Sequence, residues 1–162
     1  MYSSRIALLA LAALIVGCSR SATYVTPDGK VVVQNGKPGQ GQITISGKDG
    51  SKVSYNAEGG KVPDDYPKDV PVPSNVKVLM STSANANGQQ GYSLVLESAD
   101  TTDNLTAFYK KGFVDNGWTV ESTTSTAEMT IFGASKDKRT MMVQIVDSNG
   151  KRSINQTVAN KS

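Results

Sequence analysis

The stretch Asp100–Trp118, DTTDNLTAFYKKGFVDNGW, decides the fold. Leu105, Phe108, Tyr109, Gly112 and Phe113 follow i, i+3, i+4, i+7, i+8 spacing, which is one apolar stripe of an amphipathic helix. Asp100-Thr101-Thr102-Asp103 supplies capping oxygens, and acids near the positive end of the helix dipole. Asn116-Gly117 closes the segment, because glycine readily takes the left-handed conformation that ends a helix. Gly112 lowers helix propensity but lets the backbone lie close to a sheet.

On both sides of this helix the apolar period is two. Val76, Val78 and Met80 alternate with Lys77 and Leu79, and after the polar turn Asn85–Gly91 the residues Tyr92, Leu94 and Leu96 form the inward side of a second strand. Downstream, Trp118 and Val120 open a strand with Thr119 and Glu121 on its exposed side. Met129–Phe132, Met141–Val146 and Ile154–Val158 supply three more, with turns at Lys136–Arg139 and Asp147–Lys151. The expected order is β-β-α-β-β-β-β, an α+β fold in which one amphipathic helix packs on one face of an antiparallel sheet. A domain of this size buries about 60% of its unfolded surface, enough for independent stability.

Residues 63–73, PDDYPKDVPVP, carry four of the six prolines. Fixed φ values and restricted preceding residues make this an extended, stiff strip, expected to lie along the domain edge with Tyr66, Val70 and Val72 as contacts. Before it, Ser19–Gly60 is rich in Gly, Ser, Thr, Asn, Gln and Lys, and residues 34–42 have linker composition. Two alternating pairs, Tyr24–Thr26 with Val31–Val33 and Ile43–Ser46 with Lys52–Tyr55, flank Asp-Gly turns. They are expected to pair with each other or lean on the C-terminal domain, giving a β-decorated flexible stalk. The expected organisation is therefore a leader at 1–17, a stalk at 18–62, the proline strip at 63–73 and a compact domain at 74–162.

Arg5 and the uncharged run Ile6–Val16 have the charge and length of an export signal, too short to span a bilayer. Leu14-Ile15-Val16-Gly17-Cys18 resembles the lipobox of bacterial lipoproteins. The resemblance implies cleavage between Gly17 and Cys18, a diacylglyceryl group on the Cys18 thiol and an N-acyl chain, such as palmitate, on the freed amine. Ser19, in the position after Cys18, then favours the periplasmic face of an outer membrane in a Gram-negative cell. Several acyl chains together hold a protein on a membrane where one holds only marginally.

Cys18 is the only cysteine and there is no histidine, which removes Ser-His-Asp and Cys-His nucleophilic sites and the usual zinc and haem ligand sets. Without the leader the chain has 16 basic and 14 acidic residues, too even a balance to point to nucleic acid. Asp64, Asp65 and Asp69 lack calcium-loop spacing, and Asp100 and Asp103 are explained by helix capping. No catalytic residue, metal or non-covalent cofactor is expected.

Pro67-Lys68-Asp69-Val70-Pro71-Val72-Pro73 together with Phe108-Tyr109 and Gly117-Trp118 resembles a recurrent bacterial extracytoplasmic domain. Its marks are a P-x-D-V-P-x-P segment and an F-Y…G-W helix end. The resemblance covers about Asp64 to Val158; it implies fold and location and carries over no catalytic residue. The expected function is that of a non-enzymatic interaction or structural module of the cell envelope. It would be held to the membrane through its lipid and would contact an envelope protein or cell-wall partner. The alternative is a binding module for a small apolar ligand or lipid between helix and sheet. Candidate contact residues are Tyr66, Tyr92, Tyr109, Trp118 and Met142.

Overall fold

The computed structural model describes residues 21–35, 41–57, 60–148 and 150–160, so the leader, Gly17 and Cys18 lie outside the described residues. Along the chain run β1 (Ser21–Thr26), β2 (Gly29–Asn35), β3 (Gly41–Gly47), β4 (Lys52–Asn56), β5 (Val76–Ala86) and β6 (Gln89–Ser98). Then follow α1 (Thr102–Asp115), β7 (Thr119–Ser125), β8 (Met129–Lys136), β9 (Arg139–Ser148) and β10 (Lys151–Asn160). All ten strands belong to one antiparallel sheet, in the order β1-β2-β3-β4-β5-β6-β10-β9-β8-β7.

The helix begins where its capping signals lie. Thr101 is the N-cap, its hydroxyl accepting from the Asn104 amide at 3.2 Å, and Gly117 leaves the helix with φ of 71°. Leu105, Tyr109 and Phe113 are buried, and α1 packs over β7, β8 and β9. Tyr109 and Phe113 stack against Phe132 of β8 with ring centroids 6.5 and 5.6 Å away. Phe108, at the margin of the stripe, is exposed.

Three strand expectations change in the structure. Val76 and Val78 pack against the core, but a bulge at Leu79 reverses the parity of β5, so that Met80 joins the outer face and Ser81 turns inward. One extra residue in a strand has that effect, because side chains alternate with period two. Val120 is partly exposed because β7 is the edge of the sheet and all its residues are open to solvent. The segment expected as a flexible stalk carries four strands, and β4 pairs with the free edge of β5 through Lys52–Asn56 and Ser81–Asn85. These strands extend the sheet.

The proline strip crosses the helix-side face of the sheet instead of following its edge, and it is not extended: Tyr66 N–H donates to the Pro63 carbonyl and Val70 N–H to the Pro67 carbonyl, closing two turns that each start at a proline. Tyr66, Val70, Pro71 and Pro73 are buried there. Pro71 lies directly against Gly112, where an added Cβ would sit 2.7 Å from the Pro71 Cβ. The close approach that Gly112 permits is thus to the strip and not to the sheet.

Following cross-strand partners shows a further change across the sheet. On the helix side, Tyr92, Leu94, Leu96, Val143, Ile145, Ile154 and Val158 form the core of the C-terminal half. The same side of β1–β4 carries Thr23, Gln42, Thr44, Lys52, Ser54 and Asn56. On β1–β4 most apolar residues occupy the opposite face: Ala22, Tyr24, Val31, Val33, Ile43, Ile45, Val53 and Tyr55 are joined in register, while Val25 and Val32 stay on the helix side. The apolar side of the sheet therefore changes between its two halves.

Gly112→Ala tests the strip contact. Alanine favours the helix by up to about 1 kcal/mol, but the stiff Pro71 ring cannot retreat easily, and overpacking costs about 1–3 kcal/mol. A net loss of stability in urea denaturation is expected, opposite in sign to the propensity change.

Candidate functional site

Asp69 of the strip and Trp118 after the helix meet in one cluster with Lys136 and Arg139. Asp69 of the strip accepts two bonds from Arg139, from Nη1 to Oδ1 at 2.9 Å and from Nη2 to Oδ2 at 2.6 Å. Lys136 Nζ donates to the same Oδ2 at 2.6 Å and to the Asn116 carbonyl at 2.8 Å. The Trp118 indole N–H donates to the Asp69 carbonyl at 2.7 Å, and the Arg139 guanidinium lies 5.1 Å from the centre of the Trp118 ring. Bidentate pairing to arginine, reinforced by lysine, holds the Asp69 carboxyl well below the usual carboxylate range. Asp69, Trp118, Lys136 and Arg139 thus form one clamp joining the strip, the helix end and the β8–β9 turn. Asp69 is the acceptor in a three-residue ion network, while Asp64 pairs with Lys61 and Asp65 accepts from Gln90.

A second node lies beneath the clamp. Gln156 of β10 is fully buried; its Nε2 donates to the Tyr66 hydroxyl at 2.8 Å and to the Pro71 carbonyl at 3.1 Å. The Tyr109 hydroxyl donates to Gln156 Oε1 at 2.9 Å. One amide thereby joins strip, helix and sheet. Burial raises the pKa of the Tyr66 and Tyr109 hydroxyls above the ordinary tyrosine value, so both stay neutral, Tyr66 accepting from Gln156 and Tyr109 donating to it. The Tyr92 hydroxyl donates to the Asp65 carbonyl at 2.7 Å.

Tyr66, Tyr92, Tyr109 and Trp118, read from the sequence as contact candidates, are therefore buried and bonded within the chain. Met142 is different: it is 53% exposed on the outer face of β9. Its cross-strand partners Thr157 and Gly133 continue the face that bears Ile43 and Tyr55. The surface residues missed in the sequence are Tyr24, Ile43, Ile45, Val53 and Tyr55, all exposed. Their alternation was visible, but nothing local told which side of the sheet would be covered. On the other side of these strands, a polar cleft of about 390 Å³ runs between β3–β5 and the start of the strip, lined by Gln42, Lys52, Asn56, Lys61 and Asp65 among others.

Residues 78–152, just under half of the chain, match the family model of START domain-like proteins. The matched span runs from within β5 through α1 to the start of β10 and includes the helix with the strands beneath it. No curated protein and no solved structure is matched by the chain.

Asp69→Asn removes the charge and leaves Lys136 and Arg139 facing each other, a loss of about 1–3 kcal/mol near neutral pH. Because the native carboxyl titrates below its unfolded value of about 3.9, its stabilisation is complete above that pH and is lost as the pH falls further. Urea titrations of both proteins should differ by a constant amount from pH 6 to 8 and converge below about pH 4. Gln156→Leu leaves two buried hydroxyls and a carbonyl without a partner, and a loss of about 2–4 kcal/mol in the same assay is expected.

Proposed function

We propose that this chain is a non-enzymatic interaction module of the bacterial envelope, lipid-anchored at Cys18. In a cell with an outer membrane it would sit on that membrane's periplasmic face. The observation that carries the reading is the apolar face of β1–β4, which no described residue covers, with Tyr24 and Ile45 each about half exposed. A contiguous, charge-free set of exposed apolar side chains on one sheet face is a surface suited to contact. The lipobox-like Leu14–Cys18 supports the anchor, and the charged and aromatic motif residues support a scaffold role because they bond to one another.

The START domain-like match favours a second reading, a binding module for a small apolar ligand or lipid between helix and sheet. Against it stands the contact of Tyr109, Phe113 and Phe132, which fills the space where such a ligand would lie. Organic extraction of the purified protein followed by mass spectrometry separates the two readings: the interaction module yields no stoichiometric lipid, and the ligand module yields one equivalent.

Cys18→Ser tests the anchor. The variant should lose its acyl mass, escape normal leader processing and leave the membrane fraction. A variant that is processed and membrane-bound like the parent would refute the anchor.

A further inference from the structure

The uncovered face of β1–β4 has a specific occupant if the anchor reading above is correct, and the inference rests on that reading. We propose that this face lies on the surface of the bilayer that holds the acyl chains, fixing the orientation of the whole sheet. The length of chain between anchor and fold is the first argument. Cys18 and Ser21, the first residue of β1, are three residues apart, so covalent geometry keeps them within about 11 Å. The four strands span about 15 Å across the sheet. The N-terminal half of the sheet is therefore confined near the lipid surface, on a tether too short to act as a spacer.

Chemistry selects which face turns toward the lipid. Along β1–β4 the face bearing Ala22, Tyr24, Val31, Val33, Ile43, Ile45, Val53 and Tyr55 has no charged residue in register. The opposite face holds Val25 and Val32 but also the charges of Lys30 and Lys52, beside Gln42, Ser54 and Asn56. A charge-free face of aliphatic side chains flanked by two tyrosines suits the headgroup boundary, where an aromatic ring can be apolar at one end and wet at the other.

Area argues against a second copy as the occupant. The patch has a footprint of about 200–300 Å², from four strands at their usual spacing. A stable protein interface covers about 800 Å² on each partner. A membrane needs no such area, because the acyl chains already hold the protein at the surface and make the contact intramolecular in effect. In the resulting orientation α1, the proline strip and the Asp69 clamp point away from the lipid, as does the polar cleft beside Lys52.

The test uses the processed, acylated full chain in vesicles of phosphatidylcholine and phosphatidylglycerol. With Cys18 acylated, each single cysteine variant carries one free thiol for a bimane label. Tyr24→Cys and Val25→Cys place it on neighbouring residues of β1 that face opposite sides and are both exposed. Ile45→Cys and Lys30→Cys repeat the comparison deeper in the sheet, so that one poorly folding variant does not decide the result. Doxyl-labelled lipid should quench the labels at 24 and 45 at least threefold more than those at 25 and 30. Equal quenching at all four positions on acylated, vesicle-bound protein overturns the contact while leaving the anchor intact. Labels at 24 and 45 shielded from the lipid, together with an intermolecular disulfide formed by unlabelled Tyr24→Cys protein under mild oxidation, overturn it in favour of self-association. Protein without acyl mass on Cys18 that fails to float with the vesicles overturns the anchor, and the proposal with it.

Discussion

A helix is about 10 Å across and strands lie about 4.8 Å apart, so one helix covers about two or three strands. The described residues form a sheet of ten strands with one helix. That mismatch governs most of the remaining structure, because every strand side left uncovered must be polar or find another cover. The chain uses both solutions. Beyond α1, the proline strip covers the helix side of the sheet near β6 and β10, with Tyr66, Val70 and Pro71 buried against it. Farther out, the helix side of β3 and β4 turns to Gln42, Thr44, Ser54 and Asn56, which need no cover.

The connection between β4 and β5 shows how cover is supplied. These strands are adjacent and antiparallel, and a two-residue hairpin could join them. Instead the chain runs from Asn56 to Val76 before returning. The Ser81 hydroxyl donates to the Lys61 carbonyl at 3.2 Å where the strip begins, and the Asp69 clamp fixes it near its far end. The strip folds through two turns on this path, the Tyr66 N–H donating to the Pro63 carbonyl at 3.0 Å and the Val70 N–H to the Pro67 carbonyl at 3.1 Å, and its prolines bring no N–H that would need a partner. Its carbonyls are met by side chains: Pro71 by Gln156, Asp69 by Trp118 and Asp65 by Tyr92.

How far the sequence revealed this depends on the range of the signals. The helix from Thr102 to Asp115 was legible because its caps and stripe are local, and so were the turns at Asn87-Gly88 and Gly150, which take positive φ. The bulge at Leu79 was not legible, since an alternating pattern gives no sign that one residue will drop out of register. The partners of Asp69 were hidden for another reason. Lys136 and Arg139 are 67 and 70 residues away, and beside Asp137 they read as a solvated turn. Gln156 shares the parity of Ile154 and Val158, but nothing local shows that its amide meets Tyr66, Pro71 and Tyr109, which are 90, 85 and 47 residues away. The contact residues chosen for their aromaticity were buried by the same forces that made them conspicuous.

The reversal of the apolar side follows from the same mismatch. Had β1–β4 kept their aliphatic residues on the helix side, these would have extended the core beyond the reach of α1 and the strip. With the pattern inverted, the boundary falls at β4–β5, where Ser54, Ser83 and Thr44 form a hydroxyl seam and Asn56 donates to Ser81 at 3.1 Å. Such a seam tolerates water on one side and core on the other. The inversion also leaves Tyr24, Ile43, Ile45, Val53 and Tyr55 on a side that no part of the described chain covers. A strand pair needs only one apolar face to pack, and here that face is directed outward. The sheet therefore holds a closed core in one half and an open apolar surface in the other, on opposite sides of a continuous hydrogen-bonded ladder.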